Sequence, residues 1–240
     1  MDEQELLKER FKAAISSAAK VISEKFDLEI KFGPNINTQK DSLNLPEVLH
    51  LKNLQDFTNI RAFADSEALK IKHTDKEIFI SNEPKGQIAK ALYTIAEKIR
   101  YEKIGSDEMK GVKNNIIKSY ENKFKDRKID EIKTEADVPI TEAFELYLRN
   151  YFFKTKQNNV TNKVLSYWKD LFDKNLKNHL KKLDNSVKNQ GEYSQITAKL
   201  IEDLNYKDSE SQEQQEKQEN ENENSLSDNN NEENNSENKK

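Results

Sequence analysis

Few residues in this chain have the chemistry to do more than pack. Three histidines occur, His50, His73 and His179, far apart and without the spacing at which two imidazoles share a metal ion. No cysteine is present, which excludes disulfides and thiolate metal sites. No glycine-rich phosphate loop appears, so ATP hydrolysis by this chain is not expected. No serine stands in a recognisable nucleophile setting. What remains is carboxylate and guanidinium chemistry. Of 40 basic residues only five are arginines: Arg10, Arg61, Arg100, Arg127 and Arg149. A guanidinium binds a carboxylate at two points, and an ammonium cannot. In so lysine-rich a chain, an arginine is more noteworthy than usual.

The densest such place is AEKIRYEKIG, residues 96–105. On a helix, Ile88, Leu92, Ile95 and Ile99 fall within one narrow arc. Glu97 then lies nearly opposite that arc. Arg100, three residues on, pairs with it across one turn, and an exposed pair of that kind contributes about 0.3–0.5 kcal/mol. Glu102 stands at the far border of the arc, about 160° around from Arg100, so the two cannot pair within the helix. Either Glu102 lies at the solvated rim, or it meets a cation from another element. Arg61, in NIRAFADSEAL, is the candidate cation, and contact between the two is the expectation. His73 with Asp75 reads either as an oriented imidazole or as an ordinary surface histidine.

The elements that must position these residues are mostly helices. Leu7, Phe11, Ile15, Ala18, Ile22 and Phe26 recur at helical spacing, predicting a helix over roughly 3–25. LEIKF, 28–32, alternates and stops at Gly33-Pro34, as a short strand does. The polar stretch 35–48, with its proline, reads as a loop. In 69–80, Leu69 and Ile71, then Ile78 and Ile80, alternate with polar residues. A turn at 74–76 would make a β-hairpin, with helix possible before the turn. A helix begins near Pro84 and ends at Gly105 in the C-terminal glycine position. Further helices are predicted over 107–125, 140–155, 160–187 and 192–205. The fold class is mainly α with a small β element (α+β).

The charge divides unevenly. The whole chain carries −4. Residues 207–240 hold 11 acidic and 4 basic residues, a net of −7, which leaves +3 on residues 1–206. A nearly neutral body gives no support for nucleic-acid binding, and the lysine-rich helices interleave acids as a solvated face does. The tail has one large apolar residue, Leu226, in 34 positions, and such a composition predicts disorder. The expected organisation is an α+β part over 1–105, a helical part over 106–206, and a disordered acidic tail or linker over 207–240. Nothing approaches the roughly 20 apolar residues that a membrane span requires, and the charged N-terminus lacks a signal-type apolar run. A cytoplasmic protein is expected.

Four clusters of residues together resemble the N-terminal region of the CobT-type subunit of aerobic cobaltochelatase. They are Arg61, Ala64 and Asp65; Ala68, Leu69, His73 and Asp75; Glu97, Arg100, Glu102 and Gly105; and Met109, Gly111, Val112 and Asn115. The resemblance covers roughly residues 1–205 and continues more weakly through LYLRN, around Arg149, to Asn189-Gln190. Ala62, Thr74 and Phe79 stand where the family pattern has a glycine and two further histidines, which weakens any metal-binding reading of 69–80. The resemblance implies a non-catalytic assembly module. In such complexes an AAA+ ATPase subunit and a large chelatase subunit insert Co2+ into hydrogenobyrinic acid a,c-diamide, at the expense of ATP. Cobalt and ATP/Mg are then expected on the partner subunits of a hetero-oligomeric ring. Arg61, Asp65, His73, Asp75, Glu97, Arg100 and Glu102 would hold the module together or face a partner. The same resemblance admits a second function, an adaptor for an AAA+ ATPase acting on another protein target, unrelated to corrin chemistry. Proteins of this type usually continue, past an acidic linker, into a von Willebrand factor A-type domain, and residues 207–240 look like that linker.

Overall fold

A computed structural model describes residues 3–33, 42–48 and 53–204. The chain opens with α1 (Glu3–Ser23) and β1 (Glu29–Phe32), then β2 (Ser42–Leu45). α2 (Leu54–His73), the short α3 (Lys76–Ser81), α4 (Gln87–Glu108) and α5 (Lys110–Lys123) follow. Two 3-10 turns, Ile129–Glu131 and Glu135–Asp137, lead into α6 (Ile140–Phe153), α7 (Asn159–Asn175), α8 (Lys177–Ser186) and α9 (Gln190–Leu204). The mainly helical α+β class is as expected. The acidic tail expected from 207 onward lies outside the described residues, as does His50.

The small sheet differs from expectation in its partner. β1 pairs in parallel with β2, in the register Glu29↔Ser42 to Phe32↔Leu45, where the polarity of 35–48 predicts only loop. Within SLNL, Leu43 and Leu45 are buried and Ser42 and Asn44 are half-buried, so the period-2 pattern is present. Four residues before a proline are too few to announce it.

The expected β-hairpin is replaced by two helices. α2 starts at a capping box, in which Asn53 Oδ1 accepts from the Asp56 amide and the Asp56 carboxylate accepts from the Asn53 amide. Asp75 then caps α3, its Oδ1 accepting from the amides of Glu77 and Ile78. The helical pattern of α2 is masked because its buried face includes Asp65 and Ser66 beside Ala62 and Leu69. Two of its six buried residues are polar and three of the rest are alanines, which weakens the 3.6-residue hydropathy period.

Two helix ends are also corrected. α4 does not stop at Gly105 but runs on to Glu108. A Cβ at Gly105 would lie 2.3 Å from Leu69 Cδ2, so the glycine admits α2 rather than ending α4. The predicted helix 160–187 is two helices, α7 and α8, meeting at Leu176, with no glycine or proline to signal the break. In α1, Ile15, Ala19 and Ile22 are buried, while Phe26 lies past the helix end and is exposed.

α4 is the element that joins the molecule. Its Leu92, Ala96 and Ile99 belong to a core shared with α5 to α9, built around Phe144, Trp168, Phe172 and Leu200. Its Tyr101 belongs to a second core with Ile15, Leu28, Leu45, Leu69 and Val112. Buried among neighbours on several sides, α4 carries the polar residues that link these two cores.

Candidate functional site

Three guanidinium–carboxylate groups lie along α4 and α2. In the first, Arg100 faces Glu97 on its own helix as a two-point pair: Nε donates to Oε2 at 2.7 Å and Nη2 to Oε1 at 2.8 Å. The pair is not the exposed surface bridge that the helical wheel suggests. Arg100 is 2% exposed and Glu97 5%, because the side of α4 opposite its isoleucine arc is covered by α9 and the end of α2. Arg100 Nη2 also donates to the His73 carbonyl, and Nη1 to the Val187 carbonyl at 3.2 Å. Thr74 Oγ1 donates to Glu97 Oε1 at 2.8 Å. One planar group therefore ties the end of α2 to the α8–α9 elbow. Burying such a pair costs desolvation, which its own attraction offsets only when the remaining donors and acceptors are filled. Here the two main-chain carbonyls and Thr74 fill them.

The same elbow is tied a second time. The Gln190 amide clamps the Asp75 main chain, Oε1 accepting from its N–H at 2.7 Å and Nε2 donating to its carbonyl at 2.9 Å. The Asp75 carboxylate is committed to capping α3 and does not orient the His73 ring. His73 Nε2 is buried with no hydrogen-bond partner. Burial, reinforced by Lys72, lowers the pKa of His73 below its ordinary value.

In the second group, Glu102 does point to a neighbouring element, and the cation there is Arg149 of α6. Arg149 Nη2 lies 2.8 Å from Glu102 Oε2, and Arg149 Nε donates to Glu145 at 2.9 Å. Ser66 Oγ donates to Glu102 Oε1 at 2.6 Å. The Arg149 guanidinium also stacks 4.5 Å from the centre of the Tyr120 ring, a favourable cation–π geometry. Burial would push the Glu145 carboxyl up, but Arg149 and Lys123 outweigh it and hold Glu145 below its ordinary value. A cavity of about 280 Å³ opens beside this cluster, lined by Ser66, Glu102, Tyr120, Lys123, Glu145 and Arg149 among others.

The expected Arg61–Glu102 pair does not form. Arg61 Nε donates to Asp65 Oδ1, one turn along α2, at 2.7 Å, and Asn115 Nδ2 of α5 donates to Asp65 Oδ2 at 2.8 Å. Asp65 thus engages α5 while its neighbour Ser66 engages α4. Adjacent residues on a helix point about 100° apart, and Arg61 follows Asp65 to the α5 side. Burial raises the pKa of Asp65, against the opposing pull of Asn115 and Arg61.

All seven residues singled out from the sequence are thus placed, but in three separate groups rather than one. Sequence reasoning missed Ser66, Thr74, Asn115, Glu145 and Gln190. Asn115 and Gln190 stand within the resembling stretches, and Arg149 was marked by its rarity as an arginine. Ser66 and Thr74 also lie within them, Thr74 marked only as a departure from the family pattern, whereas Glu145 carried no such signal. Chemically, Asp65, Glu97 and Glu102 receive a cation or a hydrogen-bond donor on both oxygens. Among the described residues, no group of three or more His, Asp or Glu side chains is placed to hold a metal ion. No helix among them is long and apolar enough to cross a membrane.

The fold and these groups define a helical body braced by buried ion pairs. The sequence model of the CobT family, described as cobalamin biosynthesis protein CobT, matches residues 6–240, and the chain belongs to that family. Membership gives it a role in cobalamin biosynthesis. No solved structure matches the chain.

Proposed function

We propose that this chain is a subunit of the cobaltochelatase complex and serves in it as a non-catalytic docking module. A partner AAA+ ATPase subunit would hydrolyse ATP, and a large chelatase subunit would insert Co2+ into hydrogenobyrinic acid a,c-diamide. The observation that carries this reading is that the motif carboxylates are engaged by groups of the chain itself. Asp65 and Glu97 spend both oxygens on hydrogen bonds to Arg61, Asn115, Arg100 and Thr74, and Glu102 accepts from Ser66 on Oε1 while its Oε2, which accepts no hydrogen bond, faces the Arg149 guanidinium at 2.8 Å. Groups so engaged are suited to holding helices in register and poorly placed to move a proton or bind a metal.

The test is co-expression with the matching ATPase subunit and size-exclusion chromatography, followed by a cobalt-insertion assay with the large subunit added. A three-subunit complex that inserts cobalt only when this chain is present is the expected result. A stable complex with the ATPase but no dependence of insertion on this chain would favour an adaptor acting on another protein. Nucleotide turnover or cobalt insertion by the purified chain alone would sink the docking reading.

A further inference from the structure

α1 and α5 each pack along α2, and between them runs a groove of about 640 Å³. One wall is Ala14, Ser17, Ala18 and Val21 of α1; the other includes Gly111 of α5, and Arg61 lies in the floor. The wall on α1 is a second stripe at i, i+3, i+4, i+7 spacing, on a different side from the buried Ile15, Ala19 and Ile22. It is small and largely open, and Val21 is 62% exposed. Glycine is among the least favourable residues in a helix, and nothing within 4 Å of a Cβ at Gly111 requires it. Small walls and an unexplained glycine together admit the close approach of another backbone.

The charges around the groove say what that backbone carries. Phe11 against Phe57 and Glu24 with Lys72 show α1 parallel to α2. Asn115 with Asp65 and Asn122 with Asn59 show α5 antiparallel to it. Arg10, one turn before Ala14, and Lys118, two turns after Gly111, therefore flank the same end of the groove. Both are exposed, and neither makes a hydrogen bond or ion pair among the described residues. Arg61 uses only Nε on Asp65. The neighbouring acids are engaged: Glu9 by Lys12, Glu121 by the Lys156 amide, and Glu24 and Glu108 by Lys72. Arg10 and Lys118 are free and Arg61 keeps its two terminal nitrogens unused beside its pair with Asp65, whereas these acids are engaged.

We infer that the α1–α5 groove docks an acidic amphipathic helix of a partner protein, its apolar side chains on the alanine wall and its carboxylates against Arg10, Arg61 and Lys118. The mode is helix-in-groove recognition. The chain's own acidic tail fits poorly, since residues 207–240 contain one large apolar side chain, Leu226, and cannot supply an apolar stripe. The inference rests on the docking reading above and gives it a surface.

A labelled synthetic helix, with leucine at i, i+3, i+4, i+7 positions and glutamate elsewhere, is titrated with the full chain by fluorescence anisotropy. Saturable binding is expected, weakened about tenfold or more by Ala14→Trp, with helicity and melting temperature unchanged. Arg10→Glu with Lys118→Glu should weaken it similarly and confer affinity for a second peptide that has lysine in place of every glutamate. Equal binding by wild type and Ala14→Trp overturns the inference, as does wild-type preference for the lysine peptide. So does a self-dimer that Ala14→Trp dissolves, or binding that appears only once residues 207–240 are removed. The ATPase co-expression is run with Ala14→Trp in parallel. Wild type that binds the peptide but forms no ATPase complex counts against the cobaltochelatase reading alone. A complex formed equally by both, without peptide binding, counts against the groove alone.

Discussion

Arg100 spans four acceptors in one plane: both Glu97 oxygens, the His73 carbonyl and the Val187 carbonyl. A lysine at 100 keeps the charge but cannot reach all of them. Arg100→Lys is expected to cost about 1–3 kcal/mol through the acceptors left bare. Arg100→Ala should cost about 3–5 kcal/mol by leaving Glu97 buried and uncompensated. Arg127, partly exposed on Glu142, is the control, and its change to lysine should stay within about 1 kcal/mol. Urea denaturation of the three variants measures these differences. Two carboxylates, the half-buried Glu145 and the buried Asp65, should respond to acid in opposite directions. Glu145 has its pKa lowered from 4.5, so its contribution is present above that value and is lost as pH falls through the folded-state pKa. Asp65 has its pKa raised from 3.8, so its contribution is greatest in acid and is lost as pH rises through the folded-state pKa. Melting temperatures between pH 3 and pH 7 should show the advantage of wild type over Glu145→Gln shrinking on acidification, while its advantage over Asp65→Asn grows. Parallel pH profiles for the two variants would contradict this assignment.

Among the elements, α2 and α4 approach closely because residue 105 has no side chain. Gly105→Ala drives a Cβ into Leu69 and should destabilise by about 1–3 kcal/mol as overpacking does. Gly111→Ala meets nothing and should stabilise by about 0.5–1 kcal/mol from helix propensity. Thermal melts of the pair give opposite shifts if the two glycines differ in this way. The hydrogen bonds that hold α3 to α9 come from the Gln190 clamp on Asp75. Gln190→Ala should therefore speed amide exchange across 75–82 while α6 and α7 stay protected, since local opening follows the loss of local contacts. Uniform acceleration across the chain would mean that the clamp acts globally.

For the whole molecule, α4 belongs to both apolar cores and carries Arg100 and Glu102 between them. The two cores are expected to unfold together. Trp168, the sole tryptophan, reports on the core around α6 and α7, whereas far-UV circular dichroism reports on all the helices. The two signals should give one midpoint in urea. A dichroism transition that precedes the fluorescence change would show the α1–α2 core unfolding alone.

Helical periodicity located α1, α6 and α9 to within a few residues, because large apolar residues recur at helical spacing along each. The rarity of arginine marked Arg100 and Arg149 as special for a reason of chemistry, their two-point geometry. Local pattern failed where burial is polar or comes from all sides. The stripe Asp65–Ser66 hid α2, and the crowding of α4 made a buried Glu97–Arg100 pair look like a surface one. Partner choice was decided only by tertiary packing. Glu102 meets Arg149 rather than Arg61 because the side of α2 that faces α4 presents Ser66, and the cation comes from α6, 47 positions further along the chain. A one-dimensional pattern reports which side of a helix is apolar; it does not report which helix will cover the other sides.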